Sequence, residues 1–315
     1  MGNDVVITGI GMVTTLGSNV AETVGAWRMR TPLKSRTIPE LSGTDFAAVR
    51  IAGLTDFDPV ERLSKRRMAK FMSDPALLGC VAAREAMVNA GVADNARFPA
   101  ERVGLFAATG MAAADIDESI AMLRTSLDEQ GEFSIRQFGE KGLHAINPLL
   151  SFKILANMPG CLVSITENIK GPSYIFTPWE DQTGAAIIEA IESLRNGEVD
   201  CAVVVASDIP SHPANLVYLL REKFITPDEI AAPGAACLVL EREESAVGAG
   251  RPYQKISRVN LTNSKTGIND PLSKQLGRTI AAAPLILLGL AAGGIDIPVR
   301  IDGCGGQIFT AEVKA

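Results

Sequence analysis

A chain of 315 residues with 47% hydrophobic and 21% charged side chains is composed like a globular protein, with length for one large core or two fused ones. Its net charge of −6 argues against nucleic acid as a partner, since phosphate contacts need clustered Lys and Arg and the densest basic run is Lys65-Arg66-Arg67. The five cysteines are scattered without a CxxC pair and the N-terminus has no basic n-region, which favours reduced thiols in the cytoplasm over a disulfide frame, a zinc site or a signal peptide.

In chain order, the β-branched run at 5–10 predicts a strand buried on both faces. The irregular stretch 31–58 reads as a surface excursion with short strands. A helix is predicted over 68–90, where Met72, Leu77, Cys80, Val81 and Ala86 recur at helical spacing and Gly91 supplies the stop. A strand at 103–108 leads into a helix at about 113–127. A short strand at 173–176, a helix at 184–195 and strands at 201–206, 236–240 and 256–261 follow. The apolar run 281–292 contains Pro284 and Gly289 and is shorter than the ~20 residues of a membrane span. It predicts a buried helix and no membrane partner, and 307–313 is the last strand. This alternation predicts an α/β fold with a mainly parallel sheet between helices. No repeat and no Pro/Gly/Ser-rich linker divides the chain.

Three stretches carry a resemblance. VVITGIGMVTTLG at 5–17, INPLLSFKILANMPGCLVSITENIKGP at 146–172 and the glycine-rich Asp302-Gly303-Cys304-Gly305-Gly306-Gln307 look like the β-ketoacyl-acyl-carrier-protein synthases of the thiolase superfamily. RRMAKFMSDPALLGCVAAREAMVNAGV at 66–92 fits the same family. The resemblance implies a thiolase-like layered α/β/α/β/α fold. Residues 1–250 would form an N-terminal ketosynthase-like half and 251–315 a shortened C-terminal half. Shortening of this kind implies uncovered apolar surface and sheet edge that need a partner.

The departures concern chemistry. Active members place a Cys at the N-terminus of a buried helix, where the helix dipole and backbone N–H groups activate the thiol and bind the oxyanion. Counted from Lys170, Glu180 stands at that position; counted back from Gly184, Asp181 does. A carboxylate cannot accept an acyl group from a thioester, because the anhydride formed is less stable than the thioester. The family's two catalytic histidines have no counterpart. His144 and His212 fall outside the matching segments, Arg278 stands where one is expected, and the segment that bears the other is missing between 261 and 276. Cys304, where relatives usually carry an aromatic, has no nearby His in sequence to activate it as a substitute nucleophile.

No catalytic residue, metal ligand or cofactor site is therefore assigned. Glu180 and Asp181 fit a solvated helix N-terminus with Thr177 as N-cap and Pro178 at the first position, a plug in a former active site, or acid–base chemistry. Arg278 pairs with an acid such as Glu180 or lies exposed at a helix start, and Trp179 packs or stacks beside the relic pocket. The retained scaffold with lost Cys and His resembles the chain-length-factor subunits of type II polyketide and polyene synthases. That implies a heterodimer with a catalytic ketosynthase, serviced by an acyl carrier protein. Met111, Ala112, Ala113 and Ile116 would then line the tunnel or the interface. Lys65 to Arg67 is a solvated face or a carrier-docking patch. A malonyl-carrier decarboxylase, with Gln182 near the site, and a carrier-binding scaffold are the competing functions.

Overall fold

The computed structural model describes residues 4–54, 58–112, 116–264 and 267–314. Its strands are β1 (Val5–Val13), β2 (Ser35–Thr37), β3 (Arg50–Ala52), β4 (Val103–Thr109) and β5 (Ser173–Phe176). They continue with β6 (Cys201–Asp208), β7 (Gly234–Arg242), β8 (Gln254–Asn263), β9 (Val299–Asp302) and β10 (Gln307–Lys314). The helices are α1 (Val20–Arg28), α2 (Asp74–Ala90), α3 (Ile116–Thr125), α4 (Ile135–Glu140), α5 (Leu150–Ile154) and α6 (Met158–Glu167). After these come α7 (Glu180–Arg195), α8 (Pro213–Arg221), α9 (Glu243–Gly248), α10 (Ser273–Leu276) and α11 (Ala283–Ala292).

Eight strands form one sheet in the order β5-β4-β6-β7-β1-β8-β10-β9, and β2 and β3 form a separate ribbon. Helices α2 and α6 lie on one face, α2 against β1, β7 and β6 and α6 against β4. On the other face α7 and α11 contact the β4–β7 region, and on their far side they contact β8, β9 and β10. The result is the expected layered α/β architecture, with the β8–β10–β9 end of the one sheet lying over the far side of α7 and α11. Alternation still governs the last layer. Ile256, Val259, Leu261, Phe309, Ala311 and Ile301 point into the core around α7 and α11. Arg258, Asn260 and Thr262 are exposed, and Arg258 pairs with Glu312 at 2.7 Å. The outer side of β8 and β10 is thus mostly polar, and the uncovered apolar sheet face expected from the shortening is not there.

The mainly parallel expectation is corrected. Only β4–β5 and β4–β6 are parallel; β6–β7, β7–β1, β1–β8, β8–β10 and β10–β9 run antiparallel. A parallel return needs the intervening helix to cross over the sheet face. Helix α8, between β6 and β7, instead packs with Ile38, Leu41 and Ile51 of the β2–β3 region, so β7 returns antiparallel.

Helix α2 begins at Asp74, six residues later than the expected start, and residues 66–71 form a 3-10 turn. Pro75 explains the break: without an N–H, proline suits the first turn and not the interior. One close approach then fixes α2 on β1. A Cβ at Gly9 would stand 2.1 Å from the Ala86 carbonyl oxygen, and one at Gly11 2.0 Å from that of Ala82. Glycine in the strand and alanine in the helix bring the two backbones together. Residues 74–95 are long and apolar enough to cross a membrane, yet 61% of the window is buried inside the fold.

Candidate functional site

The site is built where the N-terminus of α7, the loop between β9 and β10 and the segment before α11 converge. Trp179 caps α7, and its carbonyl accepts hydrogen bonds from the N–H groups of Gln182 and Thr183. The helix therefore starts at Glu180, past both Thr177 and Pro178, which corrects the expected cap. Glu180 is fully buried and Asp181 is 5% exposed, so the solvated helix terminus is corrected as well. Acids in the first turn meet the positive end of the helix dipole, but that effect is too small alone to cover the burial of two carboxylates.

Arg278 supplies the compensation for Glu180. Its guanidinium is buried and reaches Glu180 Oε1 at 3.2 Å and Glu229 Oε1 at 2.9 Å. Asp270 Oδ2 lies 3.5 Å from Arg278 Nε, within ion-pair range, although neither atom forms a hydrogen bond. Backbone pairing holds the arginine: Arg278 N–H donates to the Ile230 carbonyl and Ala232 N–H to the Arg278 carbonyl. The exposed alternative for Arg278 is thereby excluded.

Cys304 closes the cluster from the β9–β10 loop. Its N–H donates to Glu180 Oε2 at 2.9 Å, and its Sγ lies 3.5 Å from Arg278 Nη2 and 3.6 Å from Glu180 Oε1. The loop needs its glycines to lie this close. A Cβ at Gly303 would stand 3.0 Å from Glu180 Cβ, and one at Gly305 2.1 Å from Asp181 Oδ1. Asp181 accepts a hydrogen bond from Gln182 Nε2 at 3.3 Å, while its Oδ1 is buried without a partner.

Electrostatics divide the groups. Burial works against the charge on Arg278, but Glu180, Asp270, Cys304 and Glu229 together hold its pKa above the usual value. Burial pushes the Asp270 carboxyl up to about 7, with Arg278 opposing. Burial and then Glu180 push the Cys304 thiol well up, so it stays protonated. Asp208, at the end of β6, is driven far above the carboxylate range by burial, despite hydrogen bonds from the Ala281 and Ile209 N–H groups.

As arranged, the cluster has no activated nucleophile. The thiolate form of Cys304 is disfavoured, and neither histidine is among the hydrogen-bond or ion-pair partners that Glu180, Arg278 and Cys304 have within the described residues. Trp179 packs on Phe224 with ring centroids 4.6 Å apart and belongs to one apolar cluster with Met111 and Cys304. The crevice between Met111, Trp179, Asp208 and Ile280 has no room for a water molecule.

Met111 therefore lies beside the site. Ala112 is exposed, Ile116 half-buried at the start of α3, and Ala113 lies outside the described residues. Asp208, Glu229 and Asp270 are site residues that sequence reasoning missed. Only Asp208 carried a signal, as an acid ending an otherwise uncharged buried strand.

Comparison with known proteins gives the chain's family and fold. A family model described as β-ketoacyl synthase, N-terminal domain, matches residues 2–246. Among curated relatives, 3-oxoacyl-[acyl-carrier-protein] synthase 1 of Haemophilus influenzae is 24% identical over 197 residues, 62% of this chain and 44% of that protein. Nodulation protein E of Rhizobium meliloti is 24% identical over 266 residues, 79% of this chain and 60% of that protein. The NorA' protein of the spectinabilin polyketide synthase of Streptomyces orinoci is 28% identical over 158 residues, 45% of this chain and 4% of its own length. The chain thus spans less than two thirds of each of these relatives.

Solved structures share the fold. A type II polyketide synthase acyl-carrier protein in complex with its ketosynthase, AntDE with AntF, superposes with a TM-score of 0.78 at 16% identity, covering 100% of both chains. The ishigamide ketosynthase/chain length factor gives 0.72 at 16% identity, covering 99% of both.

Proposed function

This chain belongs to the β-ketoacyl synthase family, and from that premise we propose that it is a non-catalytic, chain-length-factor-like subunit. It pairs with an active β-ketoacyl synthase of fatty acid, polyketide or polyene biosynthesis and shapes the tunnel in which the acyl chain grows. The observation that carries this reading is Glu180. Counted from Lys170 it takes the place of the family's nucleophilic Cys (counted back from Gly184, Asp181 does), and it is a buried carboxylate paired with Arg278. Arg278 in turn stands where a catalytic His is expected. The two substitutions compensate each other, so the pair stabilises a closed pocket and performs no acyl transfer.

On this reading the partner holds the Cys and both His, and an acyl carrier protein delivers the substrate. The tunnel side of this chain would be formed by Met111, Ala112, Ala113 and Ile116. The surface supports a partner. Nine of the sixteen large apolar side chains that stay exposed among the described residues fall within 116–155, including Leu123, Phe133, Ile135 and Leu143. Exposed apolar side chains gathered in one segment of the chain are what an interaction surface requires. Malonyl decarboxylation draws no support from Gln182, whose side chain is turned to Asp181.

Co-expression with a ketosynthase encoded beside it, followed by mass determination, tests the pairing. A one-to-one complex is expected. A chain that purifies alone as a monomer with affinity for carrier protein would instead establish the scaffold function.

A further inference from the structure

We propose a second ligand site, independent of the pairing: the surface cavity between the β2–β3 ribbon and the loop after β1 binds a small amphiphilic phosphate ester. The cavity measures about 450 Å³, inside the ~300–1,000 Å³ range of small-molecule sites. Lys34, Ser35 and Arg36 line it, and its apolar wall comes from half-buried Leu54 with the little that the core residues Leu16 and Ile51 leave exposed. No carboxylate lines it among the described residues. Among the described residues Arg36 is engaged only by a 3.4 Å hydrogen bond to the neighbouring Thr37 carbonyl, and no carboxylate pairs with Lys34.

The ribbon explains the mixed character. Arg36 pairs across with Ile51, which puts a guanidinium and an apolar side chain on the same face. Two cations two residues apart match the double charge of a phosphate monoester. The arginine offers a planar fork of donors, the lysine a compact charge. The adjoining apolar wall has no use for inorganic phosphate and suits a short hydrocarbon carried on it. The site also abuts the relic pocket through the backbone: Ala52 N–H donates to the Ala231 carbonyl at 2.9 Å, and Ala231 is bridged to Arg278.

Calorimetric titration of the full chain with hexyl phosphate, inorganic phosphate and hexanol tests the site. Hexyl phosphate should bind at least about tenfold more tightly than inorganic phosphate, with salt-dependent affinity, and hexanol should not bind. The double variant Lys34→Gln/Arg36→Gln should lose about tenfold or more of that affinity, while Lys65→Gln/Arg67→Gln keeps it. Both variants change exposed side chains, so unchanged thermal melts confirm that they fold.

No binding of hexyl phosphate at millimolar concentration overturns the proposal. Equal affinity for inorganic phosphate, or binding indifferent to the Lys34/Arg36 change, overturns it too. Capture by phosphatidic acid vesicles without binding of hexyl phosphate would reassign the cations to a membrane surface and also refute the cavity.

Discussion

Arg278 is the one cation that the described residues place among Glu180, Asp270 and Glu229, and it is buried with the first two of them. Removing this cation should cost far more than removing one acid. Arg278→Met is expected to lower unfolding free energy by about 3–5 kcal/mol, the usual scale for a broken buried ion pair. Glu180→Gln should cost less, and the double variant less than the sum of the two. A urea-denaturation double-mutant cycle measures this coupling, and strict additivity would contradict the pair.

The pH dependence follows from Asp270 and Asp208. Both have folded-state pKa values above their unfolded ones, Asp270 at about 7, so the folded state binds the proton more tightly. Stability from these groups is present at mildly acid pH and is lost as pH rises from about 4 to 7 for Asp270. The chain should thus melt at a higher temperature at pH 5.5 than at pH 8, and Asp270→Asn should flatten that slope. A slope of the opposite sign would contradict the buried, proton-binding carboxyls. Glu180, Arg278 and Cys304 were legible in the sequence as apparent departures from the family pattern, and the structure brings the three together. Asp270 and Glu229 were not, since they reach Arg278 only through tertiary folding of loops with no pattern of their own.

Among elements, the contact of β1 with α2 is the one most tightly set by small residues. Gly11→Ala would drive a methyl group into the Ala82 carbonyl and should destabilise by about 1–3 kcal/mol, the range for overpacked cores. Gly25→Ala, inside α1 where an added methyl meets nothing within 4 Å, should instead stabilise by about 0.5–1 kcal/mol. Thermal unfolding of the two variants separates close approach from helix propensity. The long strands β1, β4, β6 and β7 were legible because buried runs of Val, Ile, Leu and Ala mark them. Short strands were expected within 31–58, where β2 and β3 lie, but at three residues each they were too short for a period to place them, and the four-residue edge strand β9 was missed for the same reason. Strand direction was misjudged because a helix between two strands says nothing about whether it covers the sheet, and α8 does not.

At the scale of the whole molecule, the expected need for a partner moves to a different surface. The β8–β10 layer shields itself with polar residues, whereas 116–155 keeps a group of apolar side chains exposed. Leu123→Glu and Ile135→Glu, at positions 46% and 75% exposed, should leave the chain's own stability within about 0.5 kcal/mol, as surface changes do. They should nevertheless abolish co-purification with the ketosynthase. Retained pairing would remove this surface from the interface.

The central claim is that this chain contributes architecture and its partner chemistry. A condensation assay on a malonyl-carrier substrate, run with this chain alone, the ketosynthase alone and the two co-purified, tests it most directly. The account predicts condensation only when both chains are present, with no effect of Glu180→Gln on the turnover of complex that still assembles. Turnover by this chain alone, or ketosynthase activity indifferent to its presence, would contradict it.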